Sequence, residues 1–292
     1  MFKNIRGLTV LLVAIFVLGM LYYSIAVLWP IQVQSLYATD SINIGWYSSV
    51  GGLAAFLTCP LIGYAQKWLQ HSRWQLLFYT VLMTIFCACL ATSTPETNVS
   101  SPVLVGLTFI CVSGVNIIAV SMVQVGVHHV HIGVSSGLAV TARSLGGAVA
   151  TTIYLSILNN RVAANIPKDV AAPLAQEGVA PKLIPAVIEA LTTGETTSPA
   201  LAQVSPQALG TAIYGLKLSY ASAFRLIYLV TIAFGVVSVV LVAFAADVDH
   251  LMTDHIDIKL NEGAHVRAVT DTGEGHVLKH VDHVEKSAKG EE

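Results

Sequence analysis

Arg143 stands inside an apolar stretch, Gly133 to Leu158, that reads GVSSGLAVTARSLGGAVATTIYLSIL. The stretch is long enough to cross a bilayer, and at helical rise the arginine lies about 13 Å from its start. A guanidinium near mid-membrane costs roughly 2.5–3.5 kcal/mol on insertion scales, so it faces a protein interior or a wet cavity. At about 100° per residue, Arg143, Gly147, Ala150 and Tyr154 share one stripe. Beside it Ala142, Gly146 and Ala150 form a small-xxx-small series, which with Gly137 lets a neighbouring helix approach closely. Three roles for Arg143 are open: an anchor for the carbonyls of an adjacent helix, a direct part in solute passage or gating, and snorkelling to the surface.

Other polar residues invite the same question. Ser113, Asn116 and Gln124 fall within an arc of roughly 60–80° on a helical projection of the preceding apolar segment. Such an arc serves either as glue between helices or as part of a cavity lining. Gly133-Val134-Ser135-Ser136-Gly137 matches the G-x-S-x-G string of serine hydrolases, but a nucleophile elbow needs a strand before it and a helix after it. Here the string opens a membrane helix and every histidine lies in a loop or the tail, so the string is incidental and no enzyme is expected. His128, His129 and His131 lack a thiolate or carboxylate placed to complete a metal site, so neither metal nor cofactor is implied. Cys59, Cys87, Cys89 and Cys111 all lie in apolar segments and read as small buried hydrophobes.

The elements that must position these residues follow from composition. The chain has 292 residues, 54% hydrophobic and 11% charged, where a soluble domain carries roughly 25% charge. Its mean hydropathy is +0.70. This is the composition of an integral membrane protein, and no basic patch with interleaved aromatics suggests nucleic acid. Apolar runs predict spans over 7–29, 45–66, 74–92, 102–127, 133–158 and 224–246, with a kink at Pro60 in the second. Residues 30–44 are expected as a loop, and Lys67, His71 and Arg73 as a short basic cytoplasmic loop. The segment from Asn159 to about Ser222 carries six prolines in an alanine-rich background. It is expected as a long extracellular loop with short amphipathic helices. Ser205-Pro206 reads as an N-cap followed by proline at the first helical position, opening a helix that runs into the last span. Residues 1–246 then form an all-α bundle of about six spans, and residues 247–292 a polar cytoplasmic tail.

Gly63-Tyr64-Ala65-Gln66-Lys67 leading to Arg73 resembles a worn form of the loop signature of the major facilitator superfamily, without its acid and second glycine. Gly137-Leu138, Thr141-Ala142-Arg143 and Gly146-Gly147-Ala148 resemble the penultimate span of fourteen-span drug:proton antiporters. The opening YYSIAVLWPIQVQSLY, the Asn159-Asn160 pair and Asp247-Val248-Asp249-His250-Leu251-Met252 resemble one branch, the fungal trichothecene-type efflux pumps and related siderophore transporters. The resemblance runs from about Leu21 to Met252 and covers the C-terminal half of that family. It implies a six-helix C-terminal bundle made of two inverted three-span repeats, in which Arg143 and Gly146-Gly147 match family positions. The N-terminal bundle is missing, which suggests a truncated product or fragment, and no Asp or Glu lies in a predicted span to serve a proton relay. The resemblance thus implies efflux of an amphipathic toxin or drug across the plasma membrane. Tyr22, Tyr23, Ser113, Asn116, Gln124, Arg143 and Tyr154 would line the pathway. Siderophore–iron transport, or a non-transporting half that regulates a full-length relative, are the alternatives.

Span parity and the basic loop put both termini in the cytoplasm. A tag after Glu292 should therefore resist protease added outside intact cells, while the region around Gly178 should be cut. An exposed tag beside a protected Gly178 would reverse the orientation.

Overall fold

The computed structural model describes residues 9–37, 40–69, 71–127, 132–193, 201 and 203–245. All of them belong to one compact unit, Met1–Leu251, whereas the second unit, Met252–Glu292, lies outside the described residues. So do His128, His129, His131 and the polar tail with its Asp247–Met252 motif.

Lipid offers no partner for backbone N–H and C=O groups, so long apolar segments satisfy them internally as helices. Six such helices are long and apolar enough to cross a membrane, and among the described residues there is no strand. They are α1 (Val10–Gln32), α2 (Ser41–Leu69), α3 (Ser72–Leu90), α4 (Ser100–Val125), α5 (Ile132–Ile166) and, after two short helices described below, the last span. α1 does not stop at Trp29. It carries Pro30 inside it and continues as a wide π-helical turn, Val33–Tyr37, so most of the expected loop over 30–44 is helical. Val33 and Leu36 in that turn are buried, which rewards the extension. α2 likewise runs through Pro60 without ending.

The larger departure lies after Leu158. α5 continues to Ile166 and passes through a π-helical turn, Pro167–Ala171, into α6 (Ala172–Gln176). Gly178 ends α6 at φ +78°. Its N–H bonds Ala175 O (3.3 Å) and the Val179 N–H bonds Leu174 O (3.2 Å), the Schellman pattern that favours glycine. Then come α7 (Ile184–Thr193) and α8 (Pro206–Phe244). Ser205 caps α8 as its sequence predicts, its hydroxyl accepting from the Ala208 N–H at 3.2 Å. At 39 residues, α8 is about 58 Å long, nearly twice a hydrocarbon core. The expected loop over 159–222 is therefore mostly helix. Val170, Leu174, Val187, Val204, Ala208 and Ala212 give it an apolar cluster of its own.

α1 and α4 sit at the centre. Just over half of their most apolar windows is buried, against 11% for α2. The principal pairings are α1 with α5, α2 with α4, α3 with α4, and α1 with α8, and α3 also packs on α8. Exchanging α1 with α4, α2 with α5 and α3 with α8 maps this set onto itself, as two inverted three-helix repeats require. Glycines set the closest approaches. A Cβ on Gly146 would collide with the Phe16 carbonyl, and one on Gly19 with the Arg143 carbonyl, so α1 and α5 cross backbone on backbone.

Two helices carry distinct outer faces. On α2, Trp46, Leu53, Leu57, Leu61, Tyr64 and Trp68 are exposed. The two tryptophans stand about 33 Å apart along the axis, the spacing of two aromatic belts. Roughly a third of a turn away on α2 lie Gly45, Gly52 and Gly63, each with open space around it. On α5, Gly133, Gly137, Thr141, Ser144, Ala148 and Thr152 make a matching exposed stripe of small residues.

Gly146→Val should lower stability in micelles by about 1–3 kcal/mol or more, because the Phe16 backbone cannot move aside. The same change at Gly52, which meets nothing within 4 Å, should stay within about 0.5 kcal/mol. Equal losses at the two positions would show that the α1–α5 crossing is not the tight contact.

Candidate functional site

Three helices bring the polar site together. The α1–α5 crossing holds Arg143 beside Tyr22, three residues beyond Gly19, and α4 presents Asn116 from the other side. The Arg143 Nη1 donates to Asn116 Oδ1 at 2.5 Å, and the guanidinium lies 5.2 Å from the centre of the Tyr22 ring. Such a placement lets the ring face stabilise the cation. Tyr22 is itself held edge-on by Tyr23 at 5.0 Å and by Phe109 at 6.5 Å between ring centroids. Tyr23 lies flat over Gly147, where a Cβ would strike its ring. Arg143 is part-buried, yet its Nε is fully enclosed with no hydrogen-bond partner. The anchor role expected for it thus takes the form of a side-chain amide on α4, not the carbonyls of a neighbouring helix.

Arg143 and Asn116 border a small cavity whose other walls are Ile15, Leu18, Val115, Ala119, Val120, Ala139 and Val140. The free space is about 20 Å³, room for one water. That space beside the arginine is too small for a drug-sized molecule.

The remaining candidates go elsewhere. Ser113 donates to Ala55 O at 3.3 Å and so joins α4 to α2. Gln124 Nε2 donates to Ser136 Oγ at 3.1 Å, near the α4–α5 connection. Tyr154 is 1% exposed and packs on Phe234 of α8 at 6.5 Å, which makes it core. None of the three borders the cavity, so the projected arc and stripe do not line one surface. Of the packing residues, Gly146, Gly147 and Ala150 are buried and Ala142 is part-buried against the core. Gly137 is the exception, because a Cβ there would touch nothing within 4 Å. The serines of the G-x-S-x-G string sit inside α5, and both hydroxyls donate to Ile132 O. Among the described residues, none before them forms a strand. Among the described residues, no cluster of three or more His, Cys, Asp or Glu could hold a metal.

Hydropathy also misses a polar chain at the Tyr37 end of α1. Tyr228 of α8 donates to Gln32 Oε1 at 2.6 Å, and both residues are fully buried. The Tyr37 hydroxyl lies 2.9 Å from Ser101 Oγ, and the Trp29 indole N–H donates to Tyr47 O at 2.9 Å. The available signal was Gln32 and Tyr37 spaced among Val33 and Leu36, a helical pattern continuing past Pro30. At the other end of the bundle, Arg73 donates to Ala243 O and fastens the start of α3 to the last turn of α8.

A double-mutant cycle on Arg143→Leu and Asn116→Leu should give a coupling of about 0.6–1.7 kcal/mol, the range for interhelical hydrogen bonds in membranes. Reversible unfolding in mixed micelles measures it. Additive losses would mean that the two side chains do not support one another.

The chain matches the family model described as the fungal trichothecene efflux pump, TRI12, over residues 1–281. It is 27% identical over 257 residues to the MFS-type transporter prx5 of Penicillium rubens, covering 85% of this chain and 46% of that protein. It is 21% identical over 264 residues to the trichothecene efflux pump TRI12 of Fusarium sporotrichioides, covering 89% of this chain and 44% of the other. The pump of the same name from Trichoderma arundinaceum is also 21% identical, over 252 residues, covering 82% and 41%. The chain thus spans less than half the length of these curated relatives. No solved structure matches it. Six apolar helices and a family match over nearly the whole chain make this a multi-pass membrane protein of the major facilitator type, and it belongs to the fungal trichothecene efflux pump family.

Proposed function

We propose that the chain is the C-terminal six-helix half of an efflux transporter, which moves an amphipathic small molecule out across the plasma membrane when paired with an N-terminal half. The observation that carries this reading is the mid-bundle arginine. Arg143 is held by Asn116 and Tyr22 beside an otherwise apolar cavity, among helices α1, α4 and α5. The names of the relatives support export, and two inverted repeats supply the frame for alternating access. Arg143, Asn116 and Tyr22 contact the solute or gate its path, with Tyr23 behind them. No covalent chemistry is involved. Ser113, Gln124 and Tyr154 hold helices together. No Asp or Glu lies in helices α1 to α5 or α8, so a proton-coupled cycle would draw its carboxylate from the other half.

The small-residue stripes on α2 and α5 are the faces on which that half packs. Glycines let backbones approach. The Thr141 and Thr152 hydroxyls donate to Gly137 O and Ala148 O at 2.8 and 3.0 Å, so they place no unpaired polar group against a partner. The aromatic face of α2 meets lipid instead.

In vesicles loaded with a panel of amphipathic dyes, the 292-residue chain alone should give no flux above empty vesicles. Co-expression with the N-terminal half of its Penicillium relative should raise its abundance. Ser144→Leu on the stripe should remove that gain, and Leu57→Ala on the lipid face should not. Flux through the chain alone that Arg143→Ala abolishes would mean it is a working carrier, with a homodimer supplying both halves.

A further inference from the structure

The two longest helices carry a pair of cations that the Arg143 site does not use. Asn165 of α5 donates to Ser222 of α8, and Ser219 donates to Asp169 Oδ2 at 3.0 Å. These bonds fix the antiparallel register of the two helices, and that register sets Arg161 level with Arg225. Both arginines are exposed. On a projection of about 100° per residue they turn to the same flank of the α5–α8 seam. Arg161 lies roughly half a turn from Thr152 of the small-residue stripe, so a half packed on that stripe leaves the flank open. Two separate measures put the pair in the headgroup layer. Arg73 holds the Ala243 carbonyl at the opposite end of the bundle, and Arg225 lies about 27 Å from there along α8, close to the thickness of a hydrocarbon core. At the near end, the Trp29 indole bonds Tyr47 O beside the exposed Trp46. Gln32, one turn outward, accepts from Tyr228, and Arg225 is one turn beyond that. Inward of the pair the surface is apolar. Ile157 lies one turn below Arg161, and Leu229, 50% exposed, one turn below Arg225.

From this we propose that Arg161 and Arg225 form a two-pronged clamp for the phosphate of one anionic phospholipid, whose acyl chains run along Ile157 and Leu229. A phosphate diester carries one negative charge and several acceptor oxygens, so two guanidinium forks share it, each through paired contacts. A headgroup with its own ammonium would bring a third cation to the two already there, so a net anionic lipid is preferred to a zwitterionic one. Lys168 is exposed on the flank of Arg161 but stands about 10 Å further out, a full Debye length from the phosphate. Lys217 projects from the side of α8 turned away from α5. Neither lysine belongs to the clamp. The site lies on the outside of the bundle and does not depend on the transport reading.

The test uses native mass spectrometry of the full chain in micelles, titrated with phosphatidylglycerol or with phosphatidylcholine of the same acyl chains. One phosphatidylglycerol should bind about fivefold more tightly than phosphatidylcholine. Arg161→Gln and Arg225→Gln should each weaken it about fivefold, and the double variant about twentyfold or more. Lysine at both positions keeps the charge without the forks and should fall between the parent and the double glutamine variant. Lys168→Gln and Lys217→Gln should stay within about twofold of the parent, because their charges are screened from the phosphate. All these side chains reach the surface, so the variants should melt with the parent. Millimolar inorganic phosphate should leave the lipid in place, because it lacks the acyl chains. Full binding in the double glutamine variant would overturn the proposal, as would no preference over phosphatidylcholine. Equal losses in the lysine variants would reduce the effect to general surface charge. Displacement by inorganic phosphate would show an anion site that does not read lipid.

Discussion

The arginine site hangs on the place where α1 and α5 cross backbone to backbone. Gly19 and Gly146 have no side chain because the Arg143 and Phe16 carbonyls occupy the space one would need. Lipid tails are as apolar as leucine, so helices in a membrane are held by close packing more than by a drive out of water. The same crossing sets Arg143 alongside Tyr22 and turns it toward Asn116 on α4. Packing and electrostatics are therefore one feature. A bulkier residue at Gly146 would displace the arginine as well as the helix.

Much of the polar surface of the six helices is paired within the bundle. Arg143 and Asn116 hold one another, Gln124 bonds Ser136, and the exposed threonines of α5 bond the carbonyl one turn back. An unpaired polar group in hydrocarbon costs several kcal/mol, and these pairings avoid most of that cost. The exposed stripes on α2 and α5 are small rather than charged.

Beyond the membrane span, α5 and α8 rise together. Asn165 donates to Ser222, Ser219 donates to Asp169 Oδ2 at 3.0 Å, and the Asp169 carbonyl packs over Gly215. Those contacts join the ends of the two longest helices, and the cluster around Val170, Leu174 and Val187 covers them. They tie the far end of α5, the helix that carries Arg143, to α8.

Sequence alone determined the class, the six spans and the presence of one cation inside the fifth, because hydropathy over twenty residues and one charge in a bilayer are large local signals. Ser205-Pro206 was legible for a similar reason, since capping is decided within four residues. Helix length was not. Pro30 and Pro167 look like stops, yet α1 and α5 run on because Val33, Leu36 and Val170 find buried places that outweigh a lost hydrogen bond. Only tertiary structure decided which polar residues meet. Ser113, Asn116 and Gln124 share an arc on one helix, but their partners stand on different neighbours at different heights: Ala55 on α2, Arg143 and Ser136 on α5. A helical projection records angle and omits both height and neighbour. For that reason it grouped three residues of which one touches the arginine.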